Sequence, residues 1–153
     1  MPLKFWRSAV VVWICIIFFS STSLASELCE GGFSYVSAIL FRRLQPHSSP
    51  YDVIHLIADK GLHVTLFCIL AILLWQAVPS VSHKIAVILV CGAVVGSCSE
   101  FLQRFFPGRD PAIRDVLINV GGTALGLIIC SLVTKRNTAA ERQSLEQDPL
   151  VLR

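Results

Sequence analysis

Residues 85–106, with the sequence IAVILVCGAVVGSCSEFLQRFF, decide the fold class of this chain. Glu100 is the only charged residue before Arg104 in this stretch. As an α-helix, the stretch is long enough to cross the roughly 30 Å hydrocarbon core of a bilayer. Because a carboxylate within a membrane span is costly to insert, the stretch predicts a transmembrane helix that retains one acid for a purpose.

The remainder of the chain repeats this pattern of long apolar segments. Three further stretches, at 8–25, 61–78 and 111–134, have the length and composition of membrane spans. The 153-residue chain is 54% hydrophobic and only 15% charged, which is too apolar for a soluble domain of its size. We therefore predict an all-α membrane bundle of four transmembrane helices.

The segments between and after the spans carry the polar residues. In the connection 26–58, apolar residues recur at helical spacing among charged ones, which is typical of a short helix on the bilayer surface. A plain folded loop fits this segment nearly as well. Asp110 followed by Pro111 predicts the N-cap and first residue of the fourth helix. Residues 135–153 are polar and predict a disordered tail.

The distribution of basic residues predicts the orientation. An even number of spans puts both termini on one side, and the basic residues near that side are Lys4, Arg7, Lys84, Lys135 and Arg136. The count alone does not decide the orientation, because the opposite side carries Arg42, Arg43, Lys60, Arg104, Arg109 and Arg114. The positive flank before the first helix predicts that the side of the termini is cytoplasmic. The alternative for the first span is a cleaved signal peptide, since Ser-Leu-Ala at 23–25 resembles a cleavage site.

Composition also disfavours several classes of function. Of the six cysteines, only Cys29 lies outside an apolar stretch, and the four histidines are scattered without zinc-ligand spacing. The net charge of +3 forms no basic block with interleaved aromatic residues. We expect no metal and no nucleic-acid partner, and nothing indicates a cofactor.

Polar residues gather where the third span ends and the second and fourth begin, so they should share one depth at the outward-facing side. They are Asp59, Lys60, His63, Glu100, Gln103, Asp115 and Asn119. Viewed down the helix axis, some of these polar residues lie on the same face as glycines. The polar residues and glycines together fall within an arc of about 80° on the third span and about 60° on the fourth. The glycines on these stripes are Gly92, Gly96, Gly122 and Gly126. Their spacing predicts close helix packing beneath the polar residues.

The polar residues and the nearby Arg109 turn allow three interpretations. Arginine beside carboxylates at headgroup level is suited to a cleft for a polar, anionic ligand, because guanidinium binds phosphate or carboxylate in a bidentate manner. The second interpretation is a purely structural ion-pair network that holds the helices together and binds no ligand. Acid–base catalysis by Glu100, Asp115 and His63 is a third, although no serine or cysteine lies in a recognisable catalytic setting.

Three motifs in order resemble the VanZ-like family of bacterial membrane proteins. They are Asp59-Lys60-x-x-His63, Glu100-Phe101-x-Gln103-x-x-x-Pro107-Gly108-Arg109 and Asp115-x-x-x-Asn119-x-Gly121-Gly122-x-x-x-Gly126. The resemblance spans roughly residues 5–134, includes Phe19-Ser20-Ser21, and disfavours a cleaved first helix. One departure is Phe67, where family members often have tyrosine.

The resemblance implies a multi-pass protein of the bacterial inner membrane. The family's namesake is associated with resistance to the glycopeptide teicoplanin. We expect a protein that engages an envelope lipid or glycan carrier at headgroup level, with membrane lipids around it. An enzyme acting on that component and a structural subunit of an envelope complex are the alternatives.

Overall fold

The computed structural model describes residues 2–22, 31–32, 49–106 and 112–146. The long helices are α1 (Leu3–Ser20), α2 (Ser49–Ala77), α3 (Lys84–Gln103) and α4 (Ile113–Glu146). Each of these four helices is long and apolar enough to cross a membrane. The predicted all-α architecture with four spans is confirmed.

Two helices begin earlier than the apolar pattern predicts. The first begins at Leu3 rather than residue 8, because Lys4 and Arg7 are compatible with an exposed first turn. It ends at Ser20 rather than residue 25. The second begins at Ser49, whereas its strongly apolar part begins only at Leu56. The change from polar to apolar residues therefore marks where α2 enters its apolar part and not where the helix starts.

Other predictions fall on parts of the chain outside the described residues. Most of the segment expected to form an interfacial helix, the Asp110–Pro111 helix start and Arg109 belong to this group. The tail differs from the sequence prediction, because α4 continues through Glu146 and makes residues 135–146 helical. This segment is exposed but contains good helix formers such as Ala139 and Ala140, so its polarity does not prevent a helix.

The bundle is organised around α2, which packs against α4 along much of its length and carries α1 on another face. The helix α3 packs mainly on α4. The core residues are Ile17, Leu66, Phe67, Leu70, Ala71, Ile88 and Leu127. The indole Nε1 of Trp13 donates a hydrogen bond of 2.8 Å to the Leu66 carbonyl oxygen and so ties α1 to α2.

Two of the three glycines of α4 allow α2 to approach its main chain. A Cβ at Gly122 would lie 2.6 Å from the Val64 carbonyl oxygen, and one at Gly126 would lie 2.5 Å from the Cys68 carbonyl oxygen. Atoms cannot approach this closely without clashing, so only glycine permits the observed α2–α4 separation. By contrast, a Cβ at Gly121 would meet nothing within 4 Å.

The two glycines of α3 face α4 instead. A Cβ at Gly92 would clash with the Thr123 side chain, and one at Gly96 would lie 3.1 Å from the Asn119 Cβ. The contacts here are with side chains rather than main chain. The two glycine stripes therefore serve two different interfaces, α3 with α4 and α4 with α2.

Candidate functional site

The polar residues of three helices meet where α3 ends and the apolar parts of α2 and α4 begin. At the centre, Lys60 Nζ of α2 lies 2.8 Å from Asp115 Oδ2 of α4 and 3.2 Å from Asp59 Oδ2. Asp115 is buried, with 6% of its surface exposed, whereas Lys60 and Asp59 are half-buried. The ammonium group thus pairs with two carboxylates at once, and such charge-assisted bonds are strong.

One turn further along both helices, a second polar pair repeats this α2–α4 link. His63 Nδ1 lies 3.1 Å from Asn119 Oδ1, and Asn119 is fully buried. Because an amide oxygen only accepts, this geometry requires the hydrogen to be on His63 Nδ1. The Asn119 Nδ2 group has no hydrogen-bond partner among the described residues.

The third helix contributes Glu100 and Gln103, which are 5% and 4% exposed. Neither carboxylate oxygen of Glu100 has a hydrogen-bond partner within the described ranges. The main-chain N–H of Ala112 lies near this carboxylate and favours its charged form, but the contact does not meet the geometry of a hydrogen bond. Glu100 is close enough to Asp115 to be repelled by it, and this is unfavourable for a buried acid.

Acidic groups outnumber basic groups in the buried part of this site. Lys60 serves both Asp59 and Asp115. The Arg114 guanidinium is 3.8 Å from Asp115 Oδ1, but its side chain is 77% exposed and contributes little. The Glu100 carboxylate therefore lacks a matching cation among the residues described, and a buried charge without one is costly.

A pocket of about 230 Å³ opens beside Glu100. The described residues of its lining come from the end of α3 and the beginning of α4, and they are Ser97, Glu100, Phe101, Arg104, Ala112, Ile113 and Val116. Among these seven residues, Glu100 is the one acidic side chain and Arg104 the one basic side chain. The Glu100 side chain thus forms part of the pocket wall, while its two carboxylate oxygens are themselves buried.

Among the described residues, no group of three histidine, cysteine or acidic side chains is arranged to hold a metal ion. A model of the family described as VanZ/LLP1 matches residues 7–134. The chain belongs to the VanZ-like family. Neither a curated protein nor a solved structure matches the sequence significantly. The family match covers all four apolar helices, so this VanZ-like chain is a multi-pass membrane protein.

Sequence reasoning assigned no role to two hydroxyl groups of this VanZ-like bundle, although Ser21 belongs to the Phe19-Ser20-Ser21 segment. Ser21, just after α1, and Ser99 of α3 are each 1% exposed, and their Oγ atoms lie 2.6 Å apart. This bond joins α1 to the helix that carries Glu100, and interhelical hydroxyl bonds of this kind stabilise membrane bundles. Serine is common in membrane helices, so only its position beside Glu100 could have drawn attention to Ser99.

Phe67, the departure from the family pattern, is completely buried at the junction of α2, α3 and α4. Its Cβ lies 3.1 Å from the Cβ position of Gly122, and its ring lies 3.5 Å from that of Gly96. In this VanZ-like protein the side chain fills the space beneath the polar residues. Its contribution is packing, since it brings no hydroxyl group to the site.

Proposed function

We propose that this VanZ-like protein holds the headgroup of a cell-envelope amphiphile, either a lipid or a lipid-linked glycan carrier. The observation that carries the proposal is the buried Glu100 carboxylate, whose two oxygens lack partners in the described part of the chain. A network that serves only assembly is expected to satisfy each buried polar group, because an unsatisfied one destabilises the bundle. A ligand that donates hydrogen bonds would complete this site.

The exposed arginines support a ligand that also carries phosphate. Arg104 and Arg114 lie beside the buried acids but keep their guanidinium groups accessible. Guanidinium binds phosphate in a bidentate manner, and its position at the rim avoids the cost of burial. Envelope lipids and glycan carriers present phosphate at this depth of a bilayer.

We further propose that the protein lies in the bacterial inner membrane with both termini in the cytoplasm, so that the polar site faces outward. The opposite end of the bundle supports this orientation. There, Lys84 Nζ lies 4.6 Å from the centre of the Trp75 ring. Tryptophan marks either membrane interface, and a lysine next to it favours the cytoplasmic one.

Labelling with a membrane-impermeant thiol reagent in intact cells tests the orientation. We expect a cysteine at Ser48 to be labelled and one at Ser144 to be labelled only after the cells are permeabilised. Native cysteines are replaced by alanine in both variants so that each signal has one source. Labelling of Ser144→Cys but not Ser48→Cys in intact cells would reverse the topology.

Lipid retention tests the proposed function directly. The protein is extracted with its native lipids, and the retained lipids are identified by mass spectrometry. We expect a headgroup class to be enriched over the bulk membrane in the parent protein and lost in Asp115→Asn. Arg142→Gln, an exposed change on the α4 extension, is the matched control and should retain the same lipids. Retention of bulk lipids alone by the parent protein contradicts the proposal.

The second candidate is an enzyme that acts on the same component. His63 is an electrostatic neighbour of Glu100, and such a pair can transfer protons to and from a bound substrate. Turnover of a labelled envelope lipid by the purified protein separates an enzyme from a binding protein. Teicoplanin susceptibility is the first cellular phenotype to measure, since the family's namesake is associated with it.

A further inference from the structure

The pocket between the end of α3 and the beginning of α4 has an acidic interior and a basic rim. We infer that it accepts a zwitterionic phospholipid headgroup, with a primary ammonium at Glu100 and the phosphate at Arg104. The inference rests on the proposed function and specifies the chemistry of the ligand. It follows from the direction in which the pocket opens, from its charge and from the order of its polar groups.

The described lining of the pocket indicates an opening toward the bilayer. No described residue of α1 or α2 contributes to this lining, so the described parts of these helices do not enclose the pocket. Two lining residues, Phe101 and Ile113, are 59% and 84% exposed. Large apolar side chains this exposed on a membrane helix contact acyl chains. A lipid can therefore insert its headgroup while its chains stay in the bilayer along Phe101 and Ile113.

The buried Glu100 carboxylate calls for a hydrogen-bond donor, and a headgroup in the pocket would supply one when this side chain turns toward the pocket. Glu100 is 5% exposed, and its two oxygens have no partner in the described ranges. Lys60, the nearby half-buried cation, already bridges Asp59 and Asp115. A phosphate in this position would be repelled by Glu100, whereas an ammonium would supply both charge and N–H donors.

The rim of the pocket, in contrast, favours an anionic group. The Arg104 guanidinium lies 5.9 Å from the centre of the Phe101 ring and stays exposed. A cation held over an aromatic ring at the mouth is well placed for a phosphate that follows the ammonium group. The volume of about 230 Å³ is ample for such a group, since a water molecule takes roughly 30 Å³ in the liquid.

Primary ammonium is favoured over the other common headgroups. Choline has no N–H donor and leaves both Glu100 oxygens without hydrogen bonds. Phosphatidylglycerol offers hydroxyl donors but no positive charge to match the carboxylate. Phosphatidylethanolamine has the ammonium group and the phosphate in the order that the pocket presents.

Competition between these three lipids tests the inference. The full-length protein is placed in nanodiscs with equal amounts of phosphatidylethanolamine, phosphatidylcholine and phosphatidylglycerol, and the retained lipids are counted by native mass spectrometry. We expect phosphatidylethanolamine to exceed each of the others by about tenfold, the ratio expected for one added charge-assisted hydrogen bond. Glu100→Gln should reduce this ratio to about one. Arg104→Gln should weaken retention of all three phospholipids.

A variant that leaves the buried acids unchanged covers the case in which Glu100→Gln fails to fold. Ser97 lines the pocket and is exposed, so Ser97→Met narrows the pocket from its open side and should also remove the preference. Val90 lies two turns earlier on the same face, is 61% exposed and is outside the lining. Val90→Met is therefore the matched control and should keep the preference.

The outcomes separate this inference from the proposed function. Equal retention of phosphatidylethanolamine and phosphatidylglycerol, unchanged in Glu100→Gln and Ser97→Met, overturns the ammonium assignment. In that case, enrichment of another envelope lipid in the extracted protein would leave the proposed function standing. If neither nanodiscs nor native extracts show enrichment of any headgroup, both fail.

Discussion

Gly122→Leu should nearly abolish folded protein in the membrane, whereas Gly121→Leu at the preceding residue should leave it near the parent level. A Cβ at Gly122 would lie 2.6 Å from the Val64 carbonyl oxygen and 3.0 Å from the Val64 Cα. These are main-chain atoms, which cannot rotate away. At Gly121 nothing lies within 4 Å, so a leucine there projects into open space and contacts lipid.

The expected loss at Gly122 exceeds that of ordinary overpacking. Extra methylene groups in a packed core typically cost about 1–3 kcal/mol. Here α2 and α4 must separate, and their separation also breaks the Lys60–Asp115 and His63–Asn119 contacts. Membrane level and thermal stability in detergent are the measurements. Parent values for Gly122→Leu would mean that α2 does not pack on this face.

Gly96 of α3 should tolerate substitution better than Gly122 of α4. A Cβ at Gly96 would lie 3.1 Å from the Asn119 Cβ, so a side chain and not the main chain must give way. We therefore expect Gly96→Leu to lower membrane level less than Gly122→Leu does. The same two assays rank the variants, and equal losses would show that the two helix interfaces have similar tolerance.

Much of the fold follows from local properties of the sequence, namely the length and apolar character of each stretch. Apolar stretches long enough to cross a bilayer have few alternatives to helices, because hydrocarbon leaves main-chain groups no external partners. Helical phase also put Asp115, Asn119 and Gly122 on one face of the fourth span. In the structure all three face α2, where they meet Lys60, His63 and Val64 respectively.

The choice of partners was not available from the sequence. The candidates to neutralise the acids were Arg109, Arg114, Lys60 and His63, and the sequence did not choose among them. In the structure Lys60 pairs with Asp115, and Arg104 and Arg114 remain exposed. Which cation reaches a buried acid depends on the rotation and depth of separate helices, and local spacing determines neither. The Ser21–Ser99 bond depends on the same long-range geometry.

Glu100→Gln should remove lipid selectivity and any cellular phenotype while leaving the membrane level of the protein nearly unchanged. A structural ion pair loses about 3–5 kcal/mol when one partner is neutralised, because the other charge stays buried and unpaired. No cation among the described residues pairs directly with Glu100, so this substitution strands no charge there. An isosteric amide also preserves the packing.

Asp115→Asn separates a binding site from an assembly network, because Asp115 takes part in a direct ion pair. Lys60 retains Asp59 as a partner and stays 24% exposed, so water can rehydrate it. We therefore expect a small loss of thermal stability but a complete loss of headgroup enrichment.

Arg109→Gln should likewise lose the phenotype at an unchanged membrane level. The measurements are membrane level, melting temperature, retained lipids and teicoplanin susceptibility, compared with Arg142→Gln as the control. If these variants and Glu100→Gln accumulate poorly and melt early, with activity falling only in proportion to protein level, the polar residues hold the helices together and bind no headgroup.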